Sequence, residues 1–362
     1  MPASRSFPVE MRLAASRTTT APSRVNSAVS PKDLLHIRRA LLRWYDKHRR
    51  HLPWRETRDP YRIWLSEIML QQTRVAAVLD HYRIFLERFP NVQALASASE
   101  DAVLAAWSGL GYYRRARMLH QAAQQIARQH DGRFPQNSEA LLALPGIGRY
   151  TAAAIASIAF AEPVAVVDGN VERVLQRFIG INLRTPQIWQ HAQALLANSR
   201  PGDFNQAMME LGATVCAPRE PRCPMCPVRK WCVTQQSMER RASPPGPAAN
   251  STRQVKKEIW CVLTQVDGGI RLVQRPRKTS LMPGMWELPQ SSEPPRPLPA
   301  SAHWRTFRHS VTVTDYTVHV VRNAPLPDAP PAAKGKWIAI DRVLQIPITG
   351  LTRKILKAGG II

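Results

Sequence analysis

From Lys32 onward apolar and polar positions alternate with the period of a helix: Leu35, Ile37, Leu41, Leu42 and Trp44 recur among basic residues through Arg50, until Leu52-Pro53-Trp54-Arg55 breaks the pattern. After Asp59-Pro60 it resumes as Tyr61-Arg62-Ile63-Trp64-Leu65-Ser66-Glu67-Ile68-Met69-Leu70-Gln71-Gln72-Thr73, and the periodicity predicts one continuous helix to about Tyr82. Glu67, Gln71 and Arg74 would share one face there, beside an apolar stripe of Trp64, Leu65, Ile68 and Val75. Further helices are predicted over 114–130, 138–144, from Thr151, and over 182–215; another follows Asp168, where Val171, Val174, Leu175 and Phe178 recur at helical spacing. Beyond residue 256 the pattern becomes that of strands. Residues 258–266 and 270–275 flank Gly268-Gly269 as an antiparallel hairpin, a second alternating stretch covers 304–321, and Leu351 to Leu356 begins a closing helix.

Proline, alanine, serine, glycine and basic residues dominate 237–256, which reads as a linker between the two regimes. The expected organisation is a basic tail (1–30), a mainly α domain (31–236), the linker, and a smaller α+β domain (257–362), for which 362 residues leave ample room. The tail carries a single acid, Glu10. Its composition suits an organelle transit peptide, a disordered basic tail, or residues ahead of a later start.

Charge narrows the choice of partner. Lys plus Arg outnumber Asp plus Glu by 50 to 26, a formal +24, which points to a polyanion or an acidic membrane surface. No apolar run approaches the roughly eighteen residues of a membrane span, so nucleic acid is preferred. Five cysteines, four of them between Cys216 and Cys232, and no apolar secretory signal point to a reducing compartment and a metal site rather than to disulfides or secretion.

Five stretches carry candidate chemistry. Leu144-Pro145-Gly146-Ile147-Gly148 makes a tight hairpin whose bare amides, at Gly146 and Gly148, lead into a helix and can grip a phosphate; Pro-Gly-x-Gly alone reads equally as a turn. The apolar run Val164 to Val167 then brings Asp168 to the mouth of the next helix, where aspartate is also a common cap. Glu67, beside its apolar stripe, is expected to hold a proton near neutrality, the alternative being a solvated glutamate in a polar row. In Gly109-Leu110-Gly111-Tyr112-Tyr113-Arg114-Arg115 paired aromatics beside arginines suit a wedge between bases, or else ordinary core tyrosines. Cys216, Cys223, Cys226 and Cys232 form a Cys-x6-Cys-x2-Cys-x5-Cys array that can hold zinc or an iron-sulfur cluster, and its spacing leans toward the latter.

Taken together, the hairpin, the Val-Asp-Gly-Asn-Val segment, the Trp-Leu-Ser-Glu-Ile-Met-Leu-Gln-Gln-Thr segment and the cysteine array resemble the MutY-type adenine glycosylases of the helix-hairpin-helix, endonuclease III superfamily, from about residue 34 to 356. The resemblance implies a mainly α helix-hairpin-helix glycosylase domain of two helical subdomains enclosing the active-site cleft, with a 4Fe-4S cluster on the four cysteines. It implies Glu67 as the general acid that protonates N7 of the target adenine, Asp168 as the carboxylate that steadies the sugar cation, and Asn170 as a residue orienting these groups and a water. Gln72 would insert into the DNA stack and Tyr112 would be the wedge beside the lesion. Tyr150 stands where the endonuclease III branch has its Schiff-base lysine, which implies a monofunctional enzyme.

The C-terminal region, with Leu281-Met282-Pro283-Gly284-Met285-Trp286-Glu287-Leu288-Pro289, is similar to the Nudix-like domain of that family but lacks the acid-rich helix of pyrophosphate hydrolysis. The family reads 8-oxoguanine through a loop ending Phe-Ser-His. Here Val311-Thr312-Val313 occupies that place, keeping only the hydroxyl of Thr312, which implies either weaker recognition of the oxidised base or His309 as a substitute imidazole, the alternative for His309 being a strand-edge histidine without a role. The implied partner is double-stranded DNA carrying adenine opposite 8-oxoguanine or guanine, bound by a monomer, in the cytoplasm at the nucleoid if the source is bacterial. Two other readings remain at this stage: an endonuclease III-like glycosylase and lyase acting on oxidised pyrimidines, which Tyr150 and the C-terminal region oppose, and a DNA-binding relative without chemistry.

Overall fold

The computed structural model describes residues 30–238, 255–295, 298, 302–324 and 335–362. The predicted tail up to residue 29 and the centre of the predicted linker, 239–254, lie outside them. Caps written into the sequence start the helices. Ser30 accepts from the Asp33 amide to open α1 (Pro31–His48), and Asp59 accepts from the Tyr61 amide to open α2 (Pro60–Leu70), each with proline in the first turn. There follow α3 (Val75–Arg88), α4 (Val92–Ser97), α5 (Glu100–Trp107), α6 (Arg114–Gln129), α7 (Ser138–Leu141), α8 (Arg149–Ala159), α9 (Gly169–Ile179), α10 (Thr185–Leu195), α11 (Pro201–Thr214) and α12 (Val233–Met238). None of the described helices is long and apolar enough to cross a membrane.

The helix expected to run unbroken from Tyr61 to Tyr82 is two helices. It stops at Leu70 because the chain turns through Gln72, which takes a left-handed φ of +56°. The guanidinium of Arg115 on α6 takes up the carbonyls of Ile68, Met69 and Gln71 that the lost turn leaves without partners. The shared face of Glu67, Gln71 and Arg74 is lost with it, since Gln71 follows the end of α2 and Arg74 precedes α3.

Two apolar cores divide the helical region. Trp64, Leu65 and Met69 of α2 pack with Phe85, Trp107, Leu119 and Ile155 from α3, α5, α6 and α8. Leu41 and Tyr45 of α1 instead pack with Val174 and Leu175 of α9, Leu195 of α10, and Phe204 and Leu211 of α11. The chain thus starts in one subdomain, builds the other with α2 to α8, and returns. An ion network ties the return together. The side chain of Glu210 on α11, fully buried, accepts from Arg50 Nε and Nη2 at 2.7 Å each and from Arg55 Nη2 at 2.8 Å.

The C-terminal region is a separate small α+β unit. Its strands are β1 (Val255–Leu263), β2 (Gln265–Val266), β3 (Gly269–Gln274), β4 (Trp286–Glu287), β5 (Gln290–Ser291), β6 (His303–Val311), β7 (Thr314–Arg322) and β8 (Lys336–Ala339), and α13 (Gly350–Ala358) closes it. The expected hairpin of 258–266 with 270–275 shrinks to β2 against β3, because the long β1 leaves it to pair in parallel with β7 in a sheet of order β5-β1-β7-β6. The stretch 304–321 is likewise a hairpin of β6 and β7, turning at Thr312 with φ +53°. This unit is fastened to the helices: Ser108 Oγ and the Tyr113 hydroxyl donate to the Ile348 carbonyl at 2.8 and 3.3 Å, and Arg117 donates to the Pro283 carbonyl at 2.6 Å.

Burial pushes the Glu210 carboxyl up, but the hydrogen bonds of Arg50 and Arg55 overcome this and hold it at about 2. Its contribution to stability is therefore complete above the ordinary glutamate range and is lost as pH falls through about 2. Glu210→Gln, which strands two guanidiniums, is expected to cost about 3–5 kcal/mol in urea unfolding at pH 7. That penalty should shrink on acidification; a penalty that stays constant with pH would show that the pair does not stabilise the fold as charges.

Candidate active site and nucleic-acid interface

Glu67 sits in the last full turn of α2, on the side that packs against α8, and is 6% exposed. The solvated-row alternative is thereby ruled out. Tyr150, second residue of α8, donates from its hydroxyl to Glu67 Oε2 at 2.6 Å, with Met209 Sδ of α11 at 3.4 Å from the same oxygen. Burial pushes the Glu67 carboxyl up, the Tyr150 bond draws it down, the charge of Asp168 lifts it and that of Arg55 lowers it; the balance is about 7. Burial and then the two carboxylates hold the Tyr150 hydroxyl far above its ordinary range, so it stays protonated and serves as a fixed donor.

Asp168 comes from the other subdomain. It caps α9, accepting from the Val171 amide at Oδ1 (2.7 Å), while Oδ2 accepts from Asn170 Nδ2 at 2.9 Å. The capping reading is therefore correct and does not compete with a chemical role: the cap fixes the carboxylate at a helix end that favours negative charge. Arg173 in turn donates to Asn170 Oδ1 and the Gly212 carbonyl, both at 2.8 Å. Gly212 of α11 lets α9 approach this closely, because a Cβ there would lie 2.6 Å from Cβ of Asn170. Glu67, Tyr150, Asp168 and Asn170 are thus brought to one junction between the two helical cores.

The hairpin is as expected. Gly146 turns at φ +72°, where a Cβ would meet Met118 Cβ at 2.5 Å, and Gly148 precedes α8 without a side-chain cap, leaving the first amides of that helix open. Arg149 braces the hairpin against the second subdomain by stacking on Trp189 at 3.9 Å. A cleft of about 890 Å³ is lined by Gln72, Tyr112 and Gly146 from the helices and by His309 and Thr312 from the β6–β7 hairpin; Gly148 and the four junction residues are outside its lining. The tyrosine pair separates: Tyr112 is 53% exposed at φ +47°, and Tyr113 is buried. His309 lies half-buried on β6, an edge strand of its sheet, as the strand-edge alternative has it, and burial and then the charge of Lys354 lower the pKa of its imidazole.

Cys216, Cys223, Cys226 and Cys232 line one pocket together with Arg177, whose Nη1 donates to Cys216 Sγ at 3.4 Å. Among the described residues no group of three His, Cys, Asp or Glu side chains is arranged to hold a single metal ion. Burial pushes the thiols of Cys223 and Cys232 up, and that of Cys226 up to about 11. Sequence reasoning missed Glu210, Met209 and Arg173, and placed Arg115 only among the arginines beside the paired tyrosines, not at the end of α2. Each acts through a contact more than thirty residues away in the chain, and none stands in a spacing pattern of its own.

Two helical subdomains with a hairpin-led helix and two carboxyl groups at their junction define a base-excision DNA repair architecture, and residues 65–197 match the HhH-GPD superfamily base excision DNA repair proteins. Similarity extends well beyond that segment. The chain is 35% identical to the adenine DNA glycosylase of Homo sapiens, over 89% of this chain and 73% of that protein, and 36% identical to that of Mus musculus, over 90% and 78%. Among solved structures, a thermostable thymine-DNA glycosylase superposes on 57% of this chain and 98% of its own, with TM-score 0.54 and 32% identity. The chain belongs to the adenine DNA glycosylase family.

Because the folded Glu67 carboxyl lies above its unfolded value, ionising it opposes folding, and the penalty grows from the ordinary glutamate range up to about pH 7. Glu67→Gln is therefore expected to add stability that rises over this range and levels off at about 3 kcal/mol above it, read from urea unfolding at several pH values. A gain independent of pH would mean that Glu67 is not a buried acid.

Proposed function

We propose that this chain excises adenine paired with 8-oxoguanine or guanine in double-stranded DNA, hydrolysing the N-glycosidic bond without cutting the strand. The observation that carries the reading is the pairing across the junction: a buried acid poised at about 7, with its hydroxyl partner, and a carboxylate fixed as a helix cap. Breaking the bond between adenine and C1′ leaves electrons on the base and a positive charge on the sugar. Glu67 delivers a proton to N7 of the leaving adenine, and Asp168 faces the oxocarbenium-like sugar until water adds at C1′ and gives up a proton to the Glu67 carboxylate. Asn170 holds Asp168 and orients the water, and Tyr150 keeps Glu67 aimed. With tyrosine at position 150 there is no amine there to form a Schiff base, which favours simple hydrolysis over strand cleavage.

The target nucleotide must leave the stack to be reached. Gln72 and Tyr112, exposed in the cleft, are the residues that enter the duplex, with the amides at Gly146 and Gly148 on a phosphate. The C-terminal unit, a Nudix-like lesion reader over about 257–362, presents His309 and Thr312 from across the same cleft. A 4Fe-4S cluster on Cys216, Cys223, Cys226 and Cys232 suits four thiols around one pocket beside the Arg177 guanidinium, and would hold that loop rigid against α9. The protein acts as a monomer in a reducing compartment.

Duplexes with adenine opposite 8-oxoguanine, guanine or thymine, incubated with protein and then alkali, test the reading. Strand breaks should form only after alkali and only for the first two; breaks without alkali, with strong borohydride trapping, would establish a lyase instead. Asp168→Asn should lower single-turnover base release by at least about 100-fold while duplex binding persists, since electrostatic stabilisation of this kind is typically the largest contribution to such rates. Unchanged release would remove Asp168 from the chemistry. Purified protein should carry about four irons per chain and lose them when Cys226→Ala is introduced.

A further inference from the structure

Gln72 and Tyr112 come from separate loops, yet both take left-handed backbone conformations, at φ +56° and +47°, without being glycine. One guanidinium reaches both loops. Arg115 Nη1 donates to the Gln71 carbonyl at 2.6 Å, and Nη2 donates toward the Gly111 carbonyl at 3.3 Å, an oxygen that also accepts from Trp107 Nε1 at 3.1 Å. These are the peptide oxygens immediately before Gln72 and Tyr112, so their bonds fix the peptide plane from which each residue departs. The same guanidinium lies 5.4 Å from the ring centres of Tyr112 and of buried Trp107, which seats it between the exposed wedge and the core. Capping of α2 alone would explain its bonds to Ile68 and Met69, but not those to Leu110 and Gly111 on the other loop.

We propose that Arg115 is the positioning residue that presets Gln72 and Tyr112 as one unit for entry into the duplex. The proposal rests on the reading of those two as duplex-entering residues, and extends it: extrusion of the target nucleotide depends on a side chain that need not touch DNA. Only a planar fork with several donors can serve both loops at once; the ammonium of lysine, a point charge on a flexible stem, serves one.

The test uses the full protein and a duplex with 2-aminopurine beside the target adenine, whose fluorescence rises as the neighbouring base unstacks. Arg115→Lys should slow that rise about 10- to 100-fold, the scale expected of small misplacements, while duplex affinity changes less than about twofold. Gln72→Ala and Tyr112→Ala should each slow it too. In the Gln72→Ala/Tyr112→Ala background, Arg115→Lys should add less than about twofold, because residues acting through one another are not additive. Arg115→Gln serves as a second variant should the lysine form melt early. Full additional slowing in the double-alanine background would reduce Arg115 to a structural brace and overturn the proposal. If the alanine variants slow the rise but neither Arg115 variant does, the positioning role alone fails. If the alanine variants leave the rise unchanged, the duplex-entry reading fails and the proposal falls with it.

Discussion

Everything at the junction depends on a carboxyl group kept out of water within the field of a second one. Glu67 is buried, bonded to the Tyr150 hydroxyl at 2.6 Å, and raised to about 7 by burial with a further lift from Asp168. Burial supplies most of the rise, and the charge of Asp168 adds to it. A solvated glutamate would have released its proton well below neutrality, and a glutamate next to a mobile aspartate would feel a charge averaged over many positions.

The fold supplies that fixity by opposing two independent cores. Glu67 and Tyr150 belong to helices of one subdomain, and Asp168 is the cap of a helix in the other. The relative placement of the two carboxyls is then the placement of two packed bodies. Several contacts guard it: α1 returns the N-terminal end of the chain to the second core, Glu210 clamps Arg50 and Arg55, and Gly212 admits Asn170 at a spacing no side chain would allow. Met209 and Glu210, adjacent on α11, touch Tyr150 and the two arginines respectively, so one helix supports both the acid and the frame around it.

Much of this was legible in the sequence, for identifiable reasons. Asp168 as a cap, the glycines of the hairpin and the cysteine array depend on local geometry and short spacing, which sequence displays directly. The raised carboxyl of Glu67 is one of two readings its apolar neighbours allowed, and burial decides between them. Its helix was misjudged in extent, because the periodicity continues across Gln72 while the turn is made by Arg115, more than forty residues on. The long β1 went to the wrong partner for the same reason: alternation identifies a strand but not its neighbour, and the pairing with β7 spans nearly sixty residues. The cleft joins Tyr112 to Thr312, from units far apart in the chain, and only the docking of Ile348 and Pro283 on the helical region reveals it.

The most direct measurement is the titration of Glu67 itself, followed by carboxyl carbon NMR with labelled glutamate and assigned by comparison with Glu67→Gln. The coupled-carboxyl account predicts a midpoint near 7 that falls when Asp168→Asn removes the neighbouring charge. A midpoint in the ordinary glutamate range, indifferent to Asp168, would contradict it.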